Sequence, residues 1–139
     1  MRPARSIARD LHRDERGILV GYLVRIVLVF ALLILTVEEG GQVIRAQIHA
    51  EDSAKAAAQA AANSWVNDHS LPLAAQAAKQ AAAAAGYGAK VTALRISANG
   101  QAAIATVVVR AHTLVLGRIG PLKGLTEQHA TDEEAPSSI

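Results

Sequence analysis

The stretch GILVGYLVRIVLVFALLILTV, residues 17–37, constrains this 139-residue chain more than any other feature. Ile18 to Val37 is twenty residues, about 30 Å as an α-helix, which matches the hydrocarbon thickness of a bilayer. Leu, Ile, Val and Phe dominate the run. Each favours insertion by about 0.3–0.6 kcal/mol near the centre, against a cost of about 2.5–3.5 kcal/mol for a single arginine. The sum favours a transmembrane helix over residues 17–37 even with Arg25 inside it. Starting the span after Arg25 leaves twelve residues, about 18 Å, too short to cross. Arg25 therefore belongs within the span. It either snorkels back toward the headgroups or pairs with an acid on a neighbouring membrane helix.

Charge around the run predicts its orientation. Arg2, Arg5, Arg9, Arg13 and Arg16 precede it, whereas Glu38 and Glu39 follow it, with only Arg45 and Lys55 nearby. With Arg9, Arg13 and Arg16 as topology determinants, the positive-inside rule places residues 1–16 in the cytoplasm. Residues 38–131 then form an exterior domain, with 132–139 as a disordered polar tail. The run is too long for a secretory h-region, and TVEEGGQ offers no small-x-small cleavage site. Basic leaders of this kind can touch nucleic acid, but topology explains these arginines, and the net charge of +2 points to no nucleic-acid partner.

Beyond the run, EEGGQVIRAQIHAEDSAKAAAQAAANSW favours helix apart from Gly40 and Gly41, so the membrane helix is expected to continue to about Val66. Ala46, Ala50, Ala54, Ala57, Ala61 and Trp65 make a stripe of small residues ending in one large anchor, with Gln42, Arg45, His49, Asp52 and Gln59 on a polar side. NDHSLP breaks this helix. Ser70 is a candidate N-cap, Pro72 suits the first turn, and an alanine-rich second helix runs to a glycine stop at Gly86 or Gly88. Two β-type runs then flank Ala98-Asn99-Gly100-Gln101, a hairpin signal. In the first, Thr92, Leu94 and Ile96 alternate with Val91, Ala93 and Arg95; the second covers about Ala102 to Thr113. LVLGRIGPLKGL reads as a short helix or loop and LTEQHAT as a third, edge strand. The fold class is α+β: a long N-terminal helix, a second alanine-rich helix and a small antiparallel sheet built on a hairpin. The exterior part holds only Trp65 and Tyr87 as aromatic residues, so its core is expected to be thin and helped by a partner or the bilayer.

Constellations for chemistry are lacking in the sequence. Without cysteine there are no disulfides or thiolate metal sites. Asp68-His69-Ser70 has triad residue types, but adjacent residues cannot converge in triad geometry. Glu38 and Glu39 read as an interfacial stop to the span. The five histidines form no HExxH or Cys/His pattern; His49 and Asp52, at i and i+3, read as a solvated helix face. Gly86-Tyr87-Gly88 is a helix stop, because no strand–glycine–helix order surrounds it. Neither a catalytic residue nor a metal, cofactor or small-molecule site is expected, and the chain reads as no enzyme. Trp65 is expected to pack on the hairpin, with partner contact as its other role.

Arg16-Gly17, the apolar helix, the Glu38-Glu39-Gly40-Gly41 exit and the segment RAQIHAEDSAKAAAQAAA together resemble the N-terminal region of TadE/TadG-like proteins of tight-adherence (Flp-type) pilus assembly. Arg45, Gln47, Glu51, Asp52, Ala54 and Ala56–Ala58 stand in places similar to that family's Arg/Gln/Asp/Ala-rich segment. The resemblance covers about residues 15–65. It implies a bacterial, pilin-like, single-pass membrane protein acting as a non-enzymatic component of pilus assembly or a related envelope or secretion system. Its partners would be the bilayer and other membrane proteins. Pilins cleaved by prepilin peptidase usually carry a glutamate at the fifth position after the cleaved glycine, where this chain has Tyr22. That departure favours an unprocessed anchor over a cleaved pilin. The alternative is a membrane-anchored exterior binding or regulatory module unrelated to pili.

Overall fold

The computed structural model describes residues 5–137, with side chains described from residue 19 onward. The side chains of Arg9, Arg13 and Arg16 lie outside the described residues. In chain order the elements are α1 (Arg5–Asp68), α2 (Leu71–Ala84), β1 (Lys90–Ile96), β2 (Ala103–Arg110), a 3-10 helix (Gly120–Thr126) and β3 (Glu127–Glu134). The class is α+β, with one antiparallel sheet ordered β1-β2-β3. By internal contacts the chain divides into two compact units, Met1–Glu38 and Glu39–Ile139.

From Arg5 to Glu38 the first unit is helix. Its most apolar stretch has a mean hydropathy of 2.6, and none of that stretch is buried within the molecule. A soluble protein's core helix of this character would be covered; here Leu23, Val27, Phe30, Ile34 and Val37 are all exposed. This is the one helix among the described residues that is long and apolar enough to cross a membrane. The helix does not stop at the end of the apolar run. Gly40 and Gly41 are both helical, and α1 ends at Asp68, two residues beyond the expected Val66.

In the second unit, alanine builds the core. Its buried apolar residues are alanines except for Val107 and Val109. α1 contributes the predicted stripe Ala46, Ala50, Ala54, Ala57 and Ala61, widened by Ala58 and Ala62. α2 contributes Ala74, Ala78 and Ala82, spaced at i+4 so that all three lie on one face. β2 contributes Ala103, Ala105, Val107 and Val109, alternate residues that share one face of the sheet. A methyl group is the largest side chain at most of these positions, so backbones approach closely and little apolar area is buried per residue.

The joints between elements show how local chemistry sets the fold. α1 ends where His69 takes a left-handed φ of 49° and its N–H donates to the Trp65 carbonyl at 2.8 Å. Ser70 occupies the N-cap of α2 in extended conformation, but its hydroxyl makes no capping bond; Pro72 sits in the first turn as expected. The helix stop is three successive left-handed residues, Gly86, Tyr87 and Gly88, at φ 84°, 58° and 64°. Two are glycine, which has no Cβ to clash there; Tyr87 is the exception.

The hairpin turns through residues 97–102. Ser97 N–H donates to the Ala102 carbonyl at 2.9 Å, Gly100 takes φ 70°, and the Asn99 side chain accepts from Gln101 N–H at 3.1 Å. The pairing of β1 differs from strict alternation. A bulge between Val91 and Ala93 leaves Thr92 without a cross-strand partner. The extra residue shifts the phase, so Val91, Leu94 and Ile96 pack on the core while Thr92 is exposed. The sequence places Thr92, not Val91, with Leu94 and Ile96, because alternation alone does not reveal a bulge.

The C-terminal segment is a second correction. β3 runs through Glu134, three residues into the stretch expected to be a disordered tail. Beyond it, the Ala135 carbonyl accepts from Gln59 Nε2 at 3.0 Å, and Ser137 N–H donates to Asn63 Oδ1 at 3.0 Å. Lys55 Nζ stands 3.8 Å from the Glu134 carboxylate. Lys55, Gln59 and Asn63 are spaced i, i+4, i+8 and form one polar row on α1. That row fastens the end of β3 and the residues that follow it, TDEEAPS, which carry no packing signal of their own.

Candidate functional site

Three places combine unusual geometry with residues able to contact something outside the chain. The first is Arg25. On α1 it shares a face with Tyr22 and Val29, at i−3 and i+4, and with Ile26 and Phe30 these residues line a shallow depression of about 260 Å³. Arg25 is exposed, and no ion pair to it is present among the described residues. In a bilayer, an arginine so placed needs headgroups, water or a partner's carboxylate.

The second is Glu39, the second residue past the apolar run. Sequence reasoning treats it with Glu38 as a polar stop. Glu38 is exposed, but Glu39 is 94% covered, at 6% exposure. Its carboxylate accepts backbone N–H groups from Val115 at 2.5 Å and Leu116 at 3.0 Å. It therefore ties the segment after β2 to α1. That segment turns again where the Thr113 hydroxyl accepts from Gly117 N–H at 3.0 Å. The tied segment and the 3-10 helix after it are apolar and exposed at Leu114, Val115, Ile119 and Leu125, interspersed with Arg118 and Lys123. Nothing in the local sequence announces this contact, since the partners are 76 and 77 residues apart.

The third is a cleft of about 340 Å³ between α1, the glycine-flanked turn and the end of β2. Gln42, Arg45 and His49 enter it from α1, Tyr87 from the turn, and Arg110 and His112 from β2 and just beyond. The rings of His49 and Tyr87 are stacked, 3.4 Å between centroids and 9° from parallel. The reading of His49 and Asp52 as one solvated face thus holds for Asp52, which is exposed, but not for His49. The Nδ1 atom of His49 is buried with no hydrogen-bond partner in the structure. Arg110 pairs with Glu127 across the β2–β3 register. The Arg110 guanidinium, by its hydrogen bond and its charge, holds the Glu127 carboxyl below the usual glutamate range.

Trp65 is half-buried against the alanine core and meets His69 edge-on, 5.7 Å between ring centroids. Arg25 and Trp65 lie in different units. Asp68, His69 and Ser70 fall respectively at the end of α1, in the left-handed stop and at the N-cap of α2, and share no hydrogen bond. Among the described residues no group of three His, Cys, Asp or Glu side chains comes close enough to hold a metal ion. Comparison with protein-family models, with curated proteins and with solved structures returns no match.

Proposed function

We propose that the chain is a single-pass membrane protein whose exterior α+β domain serves as a non-enzymatic, pilin-like component of a bacterial pilus-assembly or related envelope system. The observation that carries this reading is α1 itself. Its stretch from Leu19 to Val37 is apolar, with none of the most apolar part buried, and its stretch from Ala46 to Ala62 lies in an alanine core. A bare apolar helix requires lipid or other helices around it, and an arginine within it requires a polar neighbour. The membrane half is then a contact surface, Arg25 is its specific feature, and the arginines before residue 17 keep the N-terminus in the cytoplasm. The resemblance of residues 15–65 to TadE/TadG-like proteins supplies the assembly role. The anchored binding module remains the second reading, favoured by the cleft at His49 and Tyr87.

Deletion of the gene in its native host tests the assembly role. Surface filaments should disappear and return with the wild-type gene. Arg25→Leu should still insert, and more favourably by about 3 kcal/mol, yet fail to restore them. Undiminished filaments in the deletion strain would exclude the pilus reading and leave the anchored module.

A further inference from the structure

We propose that the cleft formed by Gln42, Arg45, His49, Tyr87, Arg110 and His112 is a binding site for a phosphate-bearing anion. Arg45 and Arg110 can only donate hydrogen bonds, and they carry permanent charge. Tyr87 and Gln42 bring further donors, and each imidazole carries at least one N–H. No aspartate or glutamate lines the cleft. Glu127, which holds Arg110, approaches from β3 outside it. The lining is thus rich in donors and devoid of carboxylates, which suits an oxyanion and disfavours a cation. Guanidinium groups match phosphate oxygens in a forked geometry.

The walls are also built rather than incidental. Tyr87 holds a left-handed φ of 58°, unusual for a bulky residue. This conformation sets its ring flat on His49. The stack fixes the imidazole against the cleft wall and leaves a buried nitrogen without a partner. Strain of this kind persists where the surroundings over-determine it, and it concentrates at ligand sites. Arg110 is braced by Glu127, whereas Arg45 is exposed and makes no ion pair among the described residues. One fixed cation and one free to close on a ligand is a workable clamp. The volume, about 340 Å³, exceeds the needs of a bare phosphate ion and falls at the small end of organic-ligand pockets.

Position suggests the source of the phosphate. Gln42 and Arg45 follow Val37 by five and eight residues, about 8 and 12 Å along a helix. The headgroup layer occupies about the first 5–8 Å beyond the hydrocarbon, and an arginine side chain spans the remainder. A glycerol phosphodiester of an anionic lipid and a free phosphate ion share this chemistry, and the few residues of α1 between Val37 and Arg45 make the lipid the first source to test. The proposal needs the span but not the pilus role.

The full chain in a neutral detergent is titrated with dihexanoyl phosphatidylglycerol, dihexanoyl phosphatidylcholine and inorganic phosphate, following the amide resonances of Arg45, Tyr87 and His112. Saturable shifts with phosphatidylglycerol alone identify a lipid-headgroup site. Equal saturation by inorganic phosphate identifies a free-anion site. Arg45→Gln should weaken binding at least about tenfold, the loss expected for a charged hydrogen bond. Arg118→Gln, an exposed cation that does not line the cleft, should leave it unchanged. His49→Phe keeps the stack but removes both ring nitrogens, and should also weaken binding in a chain of unchanged helicity. The proposal is overturned if no probe saturates, if all three bind alike, or if Arg45→Gln and Arg118→Gln weaken binding equally.

Discussion

Replacing Glu39 tests whether one carboxylate fastens the loop after β2. Its two acceptor bonds, to Val115 and Leu116, are both charge-assisted. Such bonds contribute about 1.5–3 kcal/mol each, but the two share one carboxylate and water can replace part of them when the loop is free. A loss of about 2–3 kcal/mol is therefore expected for Glu39→Ala. Glu39→Gln retains one acceptor oxygen but turns an NH2 donor toward the second N–H, so about 1–2 kcal/mol should be lost. The exposed neighbour gives the control, since Glu38→Ala makes the same change of helix propensity without touching the loop. Hydrogen exchange at the Val115 and Leu116 amides is the direct assay. A loss of 2 kcal/mol corresponds to about 30-fold faster exchange. Trp65, the only tryptophan, reports separately on the alanine core. Faster exchange at the two amides with an unchanged Trp65 unfolding midpoint indicates local opening; movement of both indicates that the tie supports the whole unit. Exchange altered by less than about threefold in Glu39→Ala would refute the reasoning.

Two further outcomes follow from the core and the sheet edge. Ala78 is completely buried and Ala83 exposed on the same helix. Leucine at 78 should destabilise by about 1–3 kcal/mol through overpacking, whereas leucine at 83 should change the urea midpoint little. Glu127, held below its ordinary value by Arg110, contributes stability that is present above the unfolded-state value and is lost as pH falls through its lower folded value. Its carboxyl resonance should titrate at higher pH in Arg110→Gln than in wild type, and identical midpoints would remove the ion pair as the cause.

Some features were legible in the residues because their causes are local. The run from Ile18 to Val37 is long and apolar enough to cross a bilayer despite Arg25, and none of the most apolar stretch of that helix is buried in the molecule. The small-residue stripe from Ala46 to Ala61 lies at helical spacing, and it is the face that α1 buries. Asn99-Gly100 sits between β-forming runs, and the hairpin turns there. Gly86 and Gly88 stop α2 because they tolerate positive φ.

Other features depended on contacts between residues far apart in sequence, and there the tertiary structure decided. Alternation groups Thr92 with Leu94 and Ile96, and only pairing with β2 exposes the bulge that separates it from them. Residues 132–137 look disordered because they are polar; they are ordered because Lys55, Gln59 and Asn63 present a matching row. Glu39 reads as an interfacial stop, and His49 as one member of a polar face. The first is enclosed by amides 76 and 77 residues away, and the second by a ring from the turn after α2. Sequence by itself determined which segments are helix and strand and which run is long and apolar enough to cross a membrane, because backbone propensity and hydrophobic period act within a few residues. Tertiary structure alone determined what each polar side chain is for. A carboxylate, amide or imidazole is satisfied by whichever group the fold brings to it, and that group can come from anywhere in the chain.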